Sequence, residues 1–215
     1  MRSIARVSFL LSAVLVTSCS LSPMKVGHSS TYTLTDWPGA SVPHKAAATT
    51  SKTLLVTTPL AAPGYESSRM VYVAVPYQLS AFGDHRWVAP PADLLLPLLA
   101  NHIRRLGYFH AVAVAPFSGA ATYQLNTHLL MLQQEFLQPQ SKVRLTIEAT
   151  VIQVATGNVL ADRIFNVSEP AMENNPYAGV LATNKAAGVV TNQIAQFVVK
   201  TVTENKVITG SRISK

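Results

Sequence analysis

The alternation of apolar and polar positions is cleanest over Lys142–Val154. Val143, Leu145, Ile147, Ala149 and Val151 take one side, and Arg144, Thr146, Glu148 and Thr150 the other. A period of two predicts a strand with one buried face. Thr122–Glu135 begins in the same way, with Tyr123, Leu125, Thr127 and Leu129 alternating against Gln124, Asn126 and His128. It turns wholly apolar at Leu129–Leu132, which predicts a strand whose far end is covered on both faces. Thr156-Gly157-Asn158 reads as a hairpin turn, and Val159–Val167 as the returning strand. Thr53–Thr58, Arg69–Val75 and Phe109–Ala115 are shorter β-branched or aromatic runs, each predicted as a strand; Thr31–Thr35 is a short one. Two segments have the helical period instead. Pro90-Pro91 opens the first, which runs to about Leu106 and stops at Gly107, with Leu95, Leu98, Leu99, Ile103 and Leu106 on one face. Pro97 lies inside it and predicts a kink. The second runs from Tyr177 to about Asn205, with Ala186, Val190, Ile194, Phe197 and Val198 on its stripe. Residues 36–52, 76–91 and 170–176 have no period and are expected to be irregular. The order of elements predicts an α+β domain: a largely antiparallel or mixed β-sheet with two main helices packed on one face.

The first nineteen residues follow a different pattern. Arg2 and Arg6 precede an apolar run from Val7 to Val16, and small residues lead to Cys19, the single cysteine of the chain. A basic start, a short apolar core and small residues before a cut make a secretory signal. Leu15-Val16-Thr17-Ser18-Cys19 resembles the lipobox of bacterial lipoproteins, in which the cysteine sulfur carries diacylglycerol and the freed amine is acylated. The competing reading is a structural cysteine beside a plain signal peptide or anchor helix. The expected organisation is a signal peptide at 1–18, lipidated Cys19 with a tether over 19–52, a domain over 53–205 and a polar tail over 206–215. Ser20 after the cysteine is the kind of residue that permits sorting to the outer membrane.

Composition narrows the class. Apolar residues are 48% of 215, enough for a core, and charged residues only 13%, against about 25% in ordinary domains. The formal net charge is +7, and cleavage before Cys19 would remove Arg2 and Arg6 from it. The densest basic spot is Arg104-Arg105, at a predicted helix end where cations complement the dipole. Nucleic acid is therefore not an expected partner. With a single cysteine, no intramolecular disulfide can form.

Chemistry is sparse. The six histidines lack metal-type spacing, and no G-x-S-x-G, P-loop or dinucleotide fingerprint occurs. No catalytic residue, no metal and no cofactor beyond the covalent lipid is expected, and the chain is not expected to be an enzyme. Asp84 and His85 beside serines read as a polar loop, and Asp93 as a favourable charge in a helix first turn. Arg86, Trp87, Pro90 and Pro91 form the candidate motif. An exposed Trp beside Arg would be an interface anchor; a buried one would cap the core where the chain enters the helix. Met70, Tyr72 and Tyr77 are expected to pack rather than to line a ligand pocket. Leu94-Leu95-Leu96 is apolar beyond one stripe, as on a helix buried on two sides.

The segment R-M-V-Y at 69–72, Tyr77-x-Leu79, R-W-V-A-P-P at 86–91 and L-x-x-x-I-R-R-L-G-Y-F at 99–109 resembles the ABC-type transport auxiliary lipoproteins, which include the paraquat-inducible lipoprotein. T-G-N-V-L at 156–160, Tyr32-x-Leu34 and the alanine-bearing last helix fit the same pattern, so the resemblance covers about residues 30–205. Pro97 and the long 36–52 segment depart from it. The resemblance implies a non-enzymatic lipoprotein of the cell envelope, anchored to the outer membrane and facing the periplasm. It implies work with an MCE-domain protein and its permease and ATPase in moving lipid or other hydrophobic cargo. It also implies a homo-oligomeric ring, since some members assemble in that way. The alternative is a lipoprotein that scaffolds or activates a cell-wall synthesis enzyme.

Overall fold

A computed structural model describes residues 29–35 and 50–213, with side chains as far as Asn205. Cys19, the predicted signal and most of the 36–52 segment lie outside the described residues. The elements are β1 (Ser30–Tyr32), β2 (Thr53–Val56), β3 (Leu60–Ala61), β4 (Arg69–Val75), β5 (Gln78–Trp87), α1 (Pro91–Arg105), β6 (Ala111–Val114), β7 (Tyr123–Glu135), β8 (Lys142–Gln153), β9 (Asn158–Pro170) and α2 (Pro176–Ile213).

The fold is α+β, with a mixed sheet built around β7. One edge of β7 pairs antiparallel with β8, which pairs antiparallel with β9. Three short strands share the other edge in chain order, all parallel to it: β2 against Tyr123–Leu125, β3 against His128 and Leu129, and β4 against Gln134 and Glu135. Outside these lie β6 on β2, and β5 then β1 on β4. Three partners are needed because none of them alone is long enough to satisfy the second row of β7 backbone groups.

Both helices cover one face. Leu145, Ala149 and Val151 of β8 are fully buried there, with Val143 and Ile147 nearly so, which is the face the alternation predicts. Helix α2 packs on β8 and β9, and α1 packs on α2 and on the β2–β6 edge. The fully buried Ala186, Val190, Ile194 and Val198 form the predicted stripe of α2, and Phe197 meets Phe165 of β9 edge-on with centroids 5.5 Å apart. Asn175 caps α2 by accepting the Ala178 N–H through Oδ1 at 2.8 Å. The helix continues to Ile213, beyond Asn205 and into the segment read as a polar tail. Helix α1 has Pro91 at its first position and Asp93 in its first turn, and it ends at Gly107, whose φ of 64° is a left-handed stop. Leu94 and Leu96 pack half-buried beside the core, with Leu95 fully inside it.

Residues 76–91, expected to be irregular, contain the ten-residue strand β5. Its pairing with β4 jumps from Val71↔Ala81 to Arg69↔Arg86, so extra residues bulge out of one strand. A bulge shifts which residues face the core, and the sequence alternation is lost with it. The same effect explains the apolar run in β7. A register shift between Leu129 and Met131 moves the inward phase from Leu125, Thr127 and Leu129 to Leu132 and Gln134. The far end of β7 is covered on both faces as predicted, but by polar side chains, since Gln133, Gln134 and Glu135 are all buried.

On the helix side, Gln134 Nε2 donates to Ser141 Oγ at 3.0 Å and to the Asn175 carbonyl at 3.2 Å. A Cβ on Gly179 would collide with the Gln134 carboxamide. Gly179→Ala is therefore expected to displace Gln134 and break its two hydrogen bonds, a loss of about 1–3 kcal/mol. The urea-unfolding midpoint measures it, and an unchanged midpoint would show that the carboxamide swings aside freely.

Candidate functional site

The helix-free face of the sheet carries a closed polar network. Glu135 is almost fully buried, yet two cations hold it: Arg144 Nε lies 3.2 Å from Oε1, and Lys142 Nζ 3.9 Å from Oε2. Gln133 Nε2 donates to Glu135 Oε1 at 2.9 Å, and Gln133 Oε1 accepts the Tyr65 hydroxyl proton at 2.7 Å. Burial, and secondarily the Glu135 charge, push the Tyr65 phenol above its ordinary 10.0. Folding thus favours the protonated phenol. The contribution is fully present below about pH 10 and fades as pH rises from there through the raised folded-state value. The wild-type Tm is expected to fall more steeply above pH 10 than that of Tyr65→Phe; parallel curves would show that Tyr65 titrates normally.

Three of the described histidines, His85, His102 and His128, have local partners. His85 Nδ1 is 3.2 Å from the Tyr32 hydroxyl and Nε2 is 3.6 Å from Asp84, so this ring faces a tyrosine and an aspartate, not a serine. His102 contacts the Leu98 carbonyl at 3.0 Å and Thr191 at 3.2 Å, and His128 lies 4.0 Å from Glu148. Among the described residues no three His, Cys, Asp or Glu side chains converge to hold a metal ion, and no helix is long and apolar enough to cross a membrane.

The candidate motif divides by burial. Trp87 is 5% exposed and belongs to the core, Pro91 is buried at the start of α1, Pro90 is half-buried, and Arg86 is exposed. Trp87 is thus the core-capping residue rather than an exposed anchor. It is held by its N–H to the Ser68 carbonyl at 2.8 Å and by parallel pairing with Tyr32. Met70 is core as expected, whereas Tyr77 is fully exposed. The reason is its place in the chain: Pro76 and Tyr77 are the two turn residues between the paired Val75 and Gln78. Tyr77 takes φ 67°, the position a type II turn reserves for glycine after proline.

Sequence reasoning did not find a row of aromatic rings on the helix side, beyond the start of α2. Tyr177, Tyr32, His85, Phe82 and Tyr72 succeed one another at centroid distances of 6.0, 5.8, 6.2 and 4.5 Å, and Phe136 closes the row 6.0 Å from Tyr72. They come from α2, β1, β5, β4 and the residue after β7, so no window of sequence contains them. The available signal was the Val-Pro-Tyr-Gln turn after Arg69–Val75, which fixes where β5 returns. The rings are mostly half-buried, a surface suited to binding by contact.

No curated protein matches this sequence. The crystal structure of XCC0632 from Xanthomonas campestris is similar, with a TM-score of 0.74 at 22% identity over 83% of this chain and 99% of that one. That of an uncharacterized protein gives 0.61 at 14% identity, over 80% and 99%. These two likenesses establish the shared fold alone. The PelC dodecamer from Paraburkholderia phytofirmans stands at 0.43 and 13%, over 69% and 92%, too faint a likeness to bear on assembly. The family model of the ABC-type transport auxiliary lipoprotein component matches residues 32–195, from β1 into α2, and the chain belongs to that family.

Proposed function

We propose that this protein is a non-enzymatic lipoprotein, held by acyl chains on Cys19 at the periplasmic face of the outer membrane. There it docks the MCE-domain partner of an ABC-type system that moves lipid or other hydrophobic cargo. The observation that carries the reading is the family match over 32–195 in a chain whose single cysteine ends a lipobox. The surface chemistry agrees with docking: the half-buried aromatic row and a sparse charge distribution suit a protein contact better than a polyanion. Its own P-loop is absent from the sequence, so ATP hydrolysis falls to the transporter. Assembly into a homo-oligomeric ring belongs to the same reading.

The test is affinity purification of the tagged, lipidated protein from gently solubilised native envelopes, with mass spectrometry of what accompanies it. Cys19→Ala and an unrelated lipoprotein serve as controls. Enrichment of an MCE-domain protein with its permease and ATPase is the expected result. Enrichment of a cell-wall synthase without any MCE-domain protein would replace this reading with a scaffold or activator.

A further inference from the structure

The strand directions bring several exposed apolar side chains to one end of the sheet. β4, β7 and β9 are mutually parallel, β4 to β7 directly and β9 to β7 through β8, so all three finish at that end. β4 finishes in the exposed Val75 and the fully exposed Tyr77, with Leu79 on the returning strand. The exposed Leu137 lies just past β7, and Met172, 84% exposed, just past β9. β1 is parallel to β5 and therefore antiparallel to β4, so the N-terminal side of β1 points toward this end.

We propose that the Val75-Pro76-Tyr77 hairpin tip, with Leu137 and Met172 at the same end of the sheet, seats in the lipid surface to which the chain is tethered. The inference rests on the Cys19 anchor proposed above and adds an orientation: the sheet stands with this end on the bilayer. Lengths permit it. Ser30 pairs with His85, one residue from the Arg86↔Arg69 pair, so its level on the sheet is about seven residues short of Tyr77, or ~23 Å at ~3.3 Å per residue. Residues 20–29 span at most ~33–36 Å when extended. An acylated Cys19 can therefore lie in the bilayer while the tip touches it, with only ~10 Å to spare. β1 does not yield to lengthen the tether: Asn184 Oδ1 accepts the Thr35 N–H at 2.8 Å, Asn184 Nδ2 donates to the Thr33 carbonyl at 3.3 Å, and Leu34 is in the core.

The side chains suit the lipid interface. Tyrosine favours the boundary between headgroups and acyl chains, where its ring is dry and its hydroxyl wet. Tyr77 sits at positive φ, in a turn that glycine would fill without strain, and is fully exposed, so it stands against its backbone preference with no packing inside the domain to offset it. Among the described residues, the charges at this end leave apolar contact as the attraction. Lys142 and Arg144 are both turned onto Glu135, and Glu173 follows Met172 with its carboxylate on Asn175. The surface sought is thus zwitterionic rather than anionic lipid, and the contact is insensitive to salt.

Tyr77→Cys provides the test, because an acylated Cys19 leaves the new thiol as the only one. Full-length lipidated protein, labelled at position 77 with the environment-sensitive fluorophore NBD, is reconstituted into palmitoyl-oleoyl-phosphatidylcholine vesicles with and without brominated phosphatidylcholine. Met172→Cys is a second probe, and Val159→Cys, at the opposite end of β9, is the control. The expected result is blue-shifted emission at 77 and 172, largely lost to the brominated lipid and unchanged by salt, with neither effect at 159. Emission at 77 as water-exposed as at 159 would overturn the proposal. Wild-type protein that itself accepts the label would show a free Cys19 and overturn the anchor reading instead, so the two failures are distinguishable.

Discussion

Cys19→Ala is expected to move the mature protein from the membrane pellet to the soluble fraction, or to leave its uncleaved precursor in the membrane, without unfolding the domain. Burying an acyl chain contributes about 0.8 kcal/mol per methylene; one chain binds only marginally and reversibly, and two or more anchor a protein stably. The hairpin tip does not replace them. A fully buried large apolar side chain contributes about 1.5–3 kcal/mol, and side chains seated at an interface are only partly withdrawn from water. Contact at Tyr77 and its neighbours therefore orients an anchored protein but does not retain a free one. The described contacts of the domain begin at β1, well after Cys19, so its Tm is expected to stay unchanged. The readout is fractionation of salt-washed envelopes with a signal-cleavage assay. Mature Cys19→Ala protein still pelleting with outer membranes after the wash would sink the lipid anchor.

Leu145→Ala is expected to destabilise the domain by about 3–5 kcal/mol, the transfer term plus the cavity it leaves. Leu145 is fully buried in the middle of β8, opposite the buried Leu132 of β7 and Val167 of β9. The overlying helix cannot sink to fill the hole, because α2 is held at its start by Asn175, by Gly179 close against Gln134, and along its length by fully buried Val190, Ile194 and Val198. For a domain of this size the loss corresponds to a Tm fall of about 6–20 °C. Val159→Ala, at a 60% exposed position of β9, is the control and should change stability by no more than about 0.5 kcal/mol. Thermal unfolding followed by circular dichroism compares the two. Equal effects would mean that the sheet–helix interface is loosely packed. Membrane association should survive Leu145→Ala at temperatures where the variant stays folded, which separates stability from anchoring.

What the sequence determined by itself is local. A period of two exposes β7 and β8, because neighbouring side chains on a pleated strand go to opposite faces whatever lies across from them, and the Thr156-Gly157-Asn158 turn marks the return of β9. Proline at the start and glycine past the end bracket α1, since each acts through its own backbone dihedrals. Cys19 and its flanking residues stand out for the same reason: the signal is contiguous. The tertiary structure decided what depends on partners distant in the chain. β5 was not legible because its bulge is defined against β4, and the phase change in β7 because it is defined against β8. Trp87 could be read as anchor or core until its side chain was seen buried and its backbone paired to Tyr32 and Ser68, and Tyr77 was expected to pack until the turn placed it in solvent. The aromatic row and the Glu135 network assemble residues from separate elements, as does the shared direction of β4, β7 and β9 that gathers Tyr77, Leu137 and Met172 at one end of the sheet. Local backbone preferences are written residue by residue, whereas burial and juxtaposition are set only when the sheet closes its hydrogen bonds and the helices cover it.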